Sequence, residues 1–304
     1  MLSHAPEASG KYMDWIRRLA AASAAEGTHR LGTLARVDEG ARRRGAAEVR
    51  RGAVVSLALP LTDGANLRRD GLPVFELQTF YRQEPTGVFT DPAIGSGTDH
   101  VRFDPHGIDN THIDALNHTA VDGRWYGGGS VDDPAGPGLA EFAPEGVVTR
   151  AVHLDIAALR GVPFVPPEAP VTAADLEAAV AATGRTIEPG DVVMIDLGRD
   201  RYVAAGGALR ADIRPGVGES GARWLVEQPI AAVAWDLLDA KHPAEPPAAV
   251  HLLNWAIGLV LVDNCDFSHA RAALAQNGHA ALFCAAPLPV AGATGGNINP
   301  LIVL

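Results

Sequence analysis

Cysteine is nearly missing from this chain: its 304 residues include two, Cys265 and Cys284, both in apolar stretches. Two thiols are too few for a disulfide framework, which leaves the hydrophobic core to hold the fold and fits a reducing compartment. Positive charge is also scarce. Against 36 Asp and Glu stand 25 Lys and Arg, a formal net charge of −11, which argues against nucleic acid as a partner because phosphate binding needs a cationic surplus. The one dense basic run, Arg42-Arg43-Arg44 with Arg50 and Arg51, reads as the solvated face of a helix.

No apolar run approaches the ~18 residues a membrane span requires. The first residues lack a basic start followed by an apolar stretch and a small-residue cleavage site. The expectation is therefore a cytoplasmic protein without a membrane partner. There is no Gly-x-Ser-x-Gly elbow for a serine nucleophile. The glycine runs Gly95-Ser96-Gly97 and Gly127-Gly128-Gly129-Ser130 lack the following Lys of a phosphate cradle. No internal repeat is visible.

What the chain does have is an ordinary globular balance, 47% apolar and 20% charged, and enough length to bury a large core without staples. Apolar spacing predicts helices over Asp14–Ala24, Val37–Arg51, Gly218–Glu227 and His269–Asn277, and a Thr172-capped helix over Ala173–Ala182. Short apolar runs predict strands at Val54–Leu59, Ala151–Asp155, Val192–Leu197, Ala231–Leu237 and Leu259–Val262. Strands alternating with helices indicate an α/β fold. Residues 62 to 110, rich in Gly, Pro, Asp and Thr, read as long loops and short strands. The expected organisation is a single domain, 1–304, with residues 1–60 as an N-terminal helical extension packed on the core.

Chemistry concentrates between Asp99 and Tyr126. Four of the eleven histidines, His100, His106, His112 and His118, fall between positions 100 and 118, interleaved with Asp99, Asp104, Asp109, Asp114 and Asp122. Imidazole and carboxylate together suit zinc or manganese. On an extended segment His112 and Asp114, two apart, project to one side and can share an ion. His118, four beyond Asp114, returns over the same place if the chain turns, as a ligand or as an acid–base. Downstream, His251 precedes an apolar run ending in Asp263-Asn264. A carboxylate there, among buried residues, needs a partner. On composition alone, Asp263 as a turn cap and His251 as a satisfied core histidine is the simpler reading.

The segment Thr111-His112-Ile113-Asp114-Ala115-Leu116-Asn117-His118, followed by Asp122-Gly123-Arg124-Trp125-Tyr126-Gly127-Gly128, resembles the signature of the cyclase and kynurenine formamidase-like metal hydrolases, His-x-x-Thr-His-x-Asp-x-x-x-His. Leu31–Leu34, Gly52–Leu57, Pro189–Val193 and the ending Pro287–Leu304 are similar to flanking parts of the family's longer members. That family also uses a histidine with an acidic residue twelve positions later. His251 and Asp263 have this separation, with Asp in place of the usual Glu. The resemblance implies an α/β fold with a mixed, barrel-like β core flanked by helices, of the swivelling β/β/α type. It implies His112, Asp114, His251 and Asp263 as metal ligands, and His118 as general acid–base. The family's first histidine falls at Ile108; His106 or Asp109 could stand in as ligands of a second ion. One divalent ion per chain, zinc or manganese, is the expectation.

The function implied is hydrolysis of an amide, lactam or lactone in a small aromatic or cyclic metabolite, a metal-activated water attacking the carbonyl with His118 moving the proton. Trp125, Tyr126 and Phe80 are candidate substrate contacts, with Trp15 and Tyr81 as further aromatic candidates. A homodimer or homotetramer is implied by the resemblance alone. Two alternatives share the same residues. One is a metal-dependent cyclase or dehydratase of secondary, polyketide-like metabolism. The other is a binding member without turnover, suggested by Ile108 and Asp263.

Overall fold

A computed structural model describes residues 5–64, 66, 71–82, 91, 94–133 and 136–304. Its helices are α1 (Ala5–Glu26), α2 (Glu39–Ala47), α3 (Ile156–Leu159), α4 (Ala173–Thr183), α5 (Arg199–Ala204), α6 (Glu219–Glu227), α7 (His251–Ile257) and α8 (Arg271–Gln276). Its strands are β1 (Val54–Ser56), β2 (Phe75–Arg82), β3 (Ser96–Phe103), β4 (His112–Asp114), β5 (Val147–Asp155), β6 (Val192–Asp196), β7 (Ala232–Trp235), β8 (Val260–Asp263), β9 (Ala280–Ala285), β10 (Gly295–Asn297) and β11 (Leu301–Val303).

Nine strands form one sheet in the order β1-β11-β9-β5-β6-β7-β8-β4-β10, curled into a half-barrel flanked by helices. The α/β fold with a mixed, barrel-like core is thus the one observed. β5 through β8 are parallel, and the strands on either side are antiparallel. Parallel strands need both faces covered, and their sequences comply with a period of two. Val152, Leu154, Val193, Ile195 and Val233 point into one core with α1, α4, α6 and α7. Ala151, Val192, Met194, Ala232 and Val262 point into the other.

The expected helices and strands recur with shifted ends. Helix α2 is shorter than the apolar spacing suggests because Asp38 caps it, accepting from Ala41 N at 2.7 Å. Helix α4 carries the capping box that Thr172 and Asp175 announce. At Gly45, α2 lies directly on β5. A Cβ there would come within 2.6 Å of the Thr149 carbonyl carbon and 2.7 Å of Arg150 N. Helix propensity favours Gly45→Ala by about 1 kcal/mol, but rigid backbone cannot yield as a side chain tip does. Packing should win, with a net loss of about 1–3 kcal/mol, readable as a lowered Tm and urea midpoint.

Residues Pro60–Pro105 form a compact unit of their own. The expectation of long loops and short strands needs correcting here, since β2 and β3 pair along eight residues each, Phe75 opposite Phe103 through Arg82 opposite Ser96. The described side chains of both strands are mostly exposed, so neither shows the apolar alternation by which a strand announces itself. Residues 65, 67–70, 83–90 and 92–93 of that stretch lie outside the described ones. Among the described residues no helix is long and apolar enough to cross a membrane.

Candidate metal centre

The parallel strands end in carboxylates: Asp196 closes β6, Asp236 follows β7, and Asp263 closes β8. In open α/β sheets, ligands bind at these carboxyl ends. Short β4 lies antiparallel beside β8, with His112 opposite Asp263. Directly opposed residues share a face, and so do residues two apart. The register therefore places His112, Asp114 and Asp263 together on the side of Leu261, away from Ile113. His251 joins them from the first turn of α7, which α1 braces through the Tyr12 hydroxyl donating to Ala249 O at 2.7 Å. His118 returns from the turn after β4.

The separations are short. His112 Nε2 lies 3.5 Å from Asp114 Oδ1 and 3.6 Å from Asp263 Oδ2. His251 Nε2 lies 3.1 Å from Asp263 Oδ2 and 3.8 Å from Asp114 Oδ2. A tetrahedral shell at zinc distances of about 2.0–2.1 Å puts neighbouring ligand atoms about 3.3–3.4 Å apart. The contacts of His112 and His251 with Asp263 Oδ2, and of His112 with Asp114 Oδ1, lie near that spacing, while His251 meets Asp114 through its other oxygen at 3.8 Å.

Their other atoms are occupied in the way metal ligands require. His112 Nδ1 donates to Asn110 O at 2.8 Å, and His251 Nδ1 is hydrogen-bonded to Asp239, which turns the Nε2 atom of each ring inward. Trp235 Nε1 donates to Asp263 Oδ1, turning Oδ2 to the centre. Asp114 Oδ2 is buried and has no hydrogen-bond partner, an expensive state for a carboxylate unless a cation faces it. A divalent ion fits this donor set.

The electrostatics agree. Burial alone would push the Asp114 carboxyl up, but the imidazoles of His118, His106, His112 and His251 hold it well below the usual carboxylate range. Burial pushes His118 down to about 4, Asp114 opposing and His106 and His251 adding to it, so the ring is neutral at pH 7. At His251, Asp239 and Asp263 outweigh burial and raise the imidazole well above its ordinary value. A divalent ion would satisfy the same negative charges that favour that proton.

His106 reaches the cluster, Nδ1 lying 2.9 Å from Asp114 Oδ1 and Nε2 2.9 Å from the Thr294 hydroxyl. Its ring stacks on His118 with centroids 3.9 Å apart. Two groups of possible ligands, His106–His112–Asp114 and Asp114–His118–His251, share Asp114. Ile108 is instead buried in the core. Asp109, the other candidate for a second ion, is ion-paired with Arg210. Asp122 is exposed and pairs with Arg17 at 3.3 Å. Phe80, Asp99 and His100 lie in the Pro60–Pro105 hairpin unit, the Phe80 ring against His100 and Thr79 donating to Asp99.

A cleft of about 630 Å3 opens from His118 and His251 along residues 238–248. Trp125 and Tyr126 do not line it. They are 6% and 7% exposed and wall a separate pocket of about 310 Å3 against Arg17, Ala20 and Trp255. Trp125 is packed under Gly129 and Gly136, and Tyr126 sits in the core with its hydroxyl accepting from His29 N. Their closeness in sequence to the motif reflects packing rather than contact with that cleft.

Sequence reading missed the supports. Arg199, buried, donates to Asn264 Oδ1 at 2.9 Å and to the Ile108 carbonyl. Asn264, held at φ 56°, donates to Gly107 O at 2.7 Å and Asn110 O at 2.9 Å, fixing the loop that carries His106 and orients His112. The Asp263-Asn264 pair was the signal; Asp239, Trp235 and Arg199 offered none, since each lies far from the motif in sequence.

The model of the family described as "Putative cyclase" matches residues 55–242, more than half of the chain. The chain belongs to the cyclase family. His251 and Asp263 lie beyond the matched stretch, and the fold is what brings them to the centre. No curated protein matches. Among solved structures, a novel cyclase is similar over 91% of this chain and 96% of its own, at 23% identity and a TM-score of 0.76. Isatin hydrolase A from Ralstonia solanacearum is similar over 84% of this chain and 94% of its own, at 22% identity and a TM-score of 0.58. A protein described as a "predicted metal-dependent hydrolase" from Bacillus stearothermophilus is similar over 82% and 97%, at 16% identity and a TM-score of 0.50. At these identities the likeness is one of fold.

Proposed function

We propose that this cyclase-family chain is a metal-dependent hydrolase that opens an amide, lactam or lactone bond in a small aromatic or cyclic molecule. The observation that carries it is the placement of His118, with Nε2 3.6 Å from the orphaned Asp114 Oδ2 and lining the cleft beside His251. His112, Asp114, His251 and Asp263 would hold one divalent ion, zinc or manganese. Bound there, the ion would act as a Lewis acid on the scissile carbonyl and lower the pKa of water from about 15.7 towards about 7.

His118 Nε2 takes the proton from the attacking water and returns it to the departing nitrogen or oxygen. Asp114 stabilises the imidazolium that forms in between, and the stacked His106 ring limits where His118 can turn. The carboxylate of Asp239 holds His251 in the tautomer that presents Nε2. The similarity in fold to an isatin hydrolase supports a cyclic amide as substrate type, isatin being one.

The direct test is elemental analysis of purified protein, joined to a turnover screen over lactams, lactones and aryl formamides after zinc or manganese is restored. Ring-opened product heavier by one water is expected. Protein that binds neither metal, or that works equally well after chelation, would remove the proposal. A narrower expectation concerns Asp239→Asn, which keeps the shape but weakens the hydrogen bond to His251. Divalent affinity should fall about 10–100-fold, measured by titration calorimetry with zinc.

A further inference from the structure

The cleft beside the centre has a cationic wall that the hydrolytic chemistry does not use. Arg214 and Lys241 are bridged as an antiparallel pair, Arg214 N donating to Lys241 O at 2.9 Å and Lys241 N to Arg214 O at 3.2 Å. Opposed residues of such a pair send their side chains to the same face, where like charges repel. Both residues line the same cleft as His118 and His251.

The carboxylates of that cleft are engaged elsewhere. Asp239 accepts from Val250 N and is hydrogen-bonded to His251. Glu245 accepts from Glu219 N, at the start of α6. Among the described residues the Arg214 guanidinium donates to the Leu209 and Asp239 carbonyls, at 3.3 and 3.0 Å, rather than to a carboxylate oxygen. Its Nε is buried with no partner. Lys241 reaches Asp212 at 3.2 Å, but that carboxylate is wholly exposed, and a surface pair of this kind holds little.

We propose that Arg214 and Lys241 form a subsite for a carboxylate carried by the substrate, apart from the bond that is cut. A single negative charge removes the repulsion between the two cations, and a guanidinium recognises a carboxylate in a plane. Leu238, Ala240, Pro247 and Ala248 line the same cleft and suit the apolar ring that would carry the group. A more highly charged phosphate would meet Asp239 and Glu245 in the same space, which favours the carboxylate. This inference names the substrate class of the hydrolase proposed above and rests on that reading.

Zinc-loaded protein titrated calorimetrically with benzoate and with benzene-1,4-dicarboxylate tests it, because one carboxylate can face the centre while the second reports on the wall. The diacid should bind at least ten-fold tighter than benzoate. Lys241→Gln, an exposed and structurally mild change, should remove most of that advantage, and Arg214→Gln the rest. Equal affinities in the wild type, or an advantage that survives Lys241→Gln, would overturn the subsite, as would tighter binding of 4-phosphonobenzoate than of the diacid. If the diacid preference depends on Lys241 but no amide, lactam or lactone is turned over, the hydrolase reading falls and the anion site stands. If neutral lactams are turned over without any diacid preference, the reverse holds.

Discussion

Replacing Asp114 by alanine is expected to deprive the chain of its divalent ion and to reduce turnover to background. The carboxylate is fully buried between four imidazoles, His106, His112, His118 and His251, and it belongs to both candidate ligand groups. Removing it takes away a ligand and also the counter-charge that makes the cluster tolerable to a cation. Supporting carboxylates one step out are worth about 10–100-fold in affinity, so a shared ligand should cost more than that. Asp114→Asn is the sharper variant, because it keeps the volume and removes the charge. Metal content after dialysis, with circular dichroism to show that the fold survives, decides the matter. Stoichiometric zinc retained by the Asn variant would exclude Asp114 as the centre's anchor.

His118→Ala should behave differently. Its ring is partly exposed to the cleft, and the role proposed for it is to move a proton, which general acid–base catalysis values at about 10²–10⁴-fold in rate. The expected pattern is a fall in kcat of that size with KM little changed and metal content equal to wild type. Loss of the ion together with activity would instead make His118 a ligand, in the group it forms with Asp114 and His251. Rapid activity at wild-type level would leave the centre without its proton carrier.

The parallel strands β5 to β8 and the helices α1, α2, α4, α6 and α8 were legible because buried parallel strands write continuous apolar runs and amphipathic helices repeat every three to four residues. The grouping of His112 with Asp114 followed from strand geometry, and that of His251 with Asp263 from family resemblance rather than from composition. Three things escaped. The hairpin of β2 and β3 has no core-facing alternation to read. Trp125 and Tyr126 stand near the motif in the chain, yet they wall a pocket apart from the cleft of His118 and His251. Asp239, Trp235 and Arg199 act on the centre across separations that only the folded sheet closes.

The three-residue strand β4 sits between β8 and β10, so its ligands are fixed by chain that comes much later in the sequence. A ribosome delivers His112 and Asp114 first, Asp263 some hundred and fifty residues afterwards, and the second edge of β4 only with residues 295–297. Since domains fold as units during synthesis, the sheet that aligns these side chains is complete only once residues 295–297 have been made.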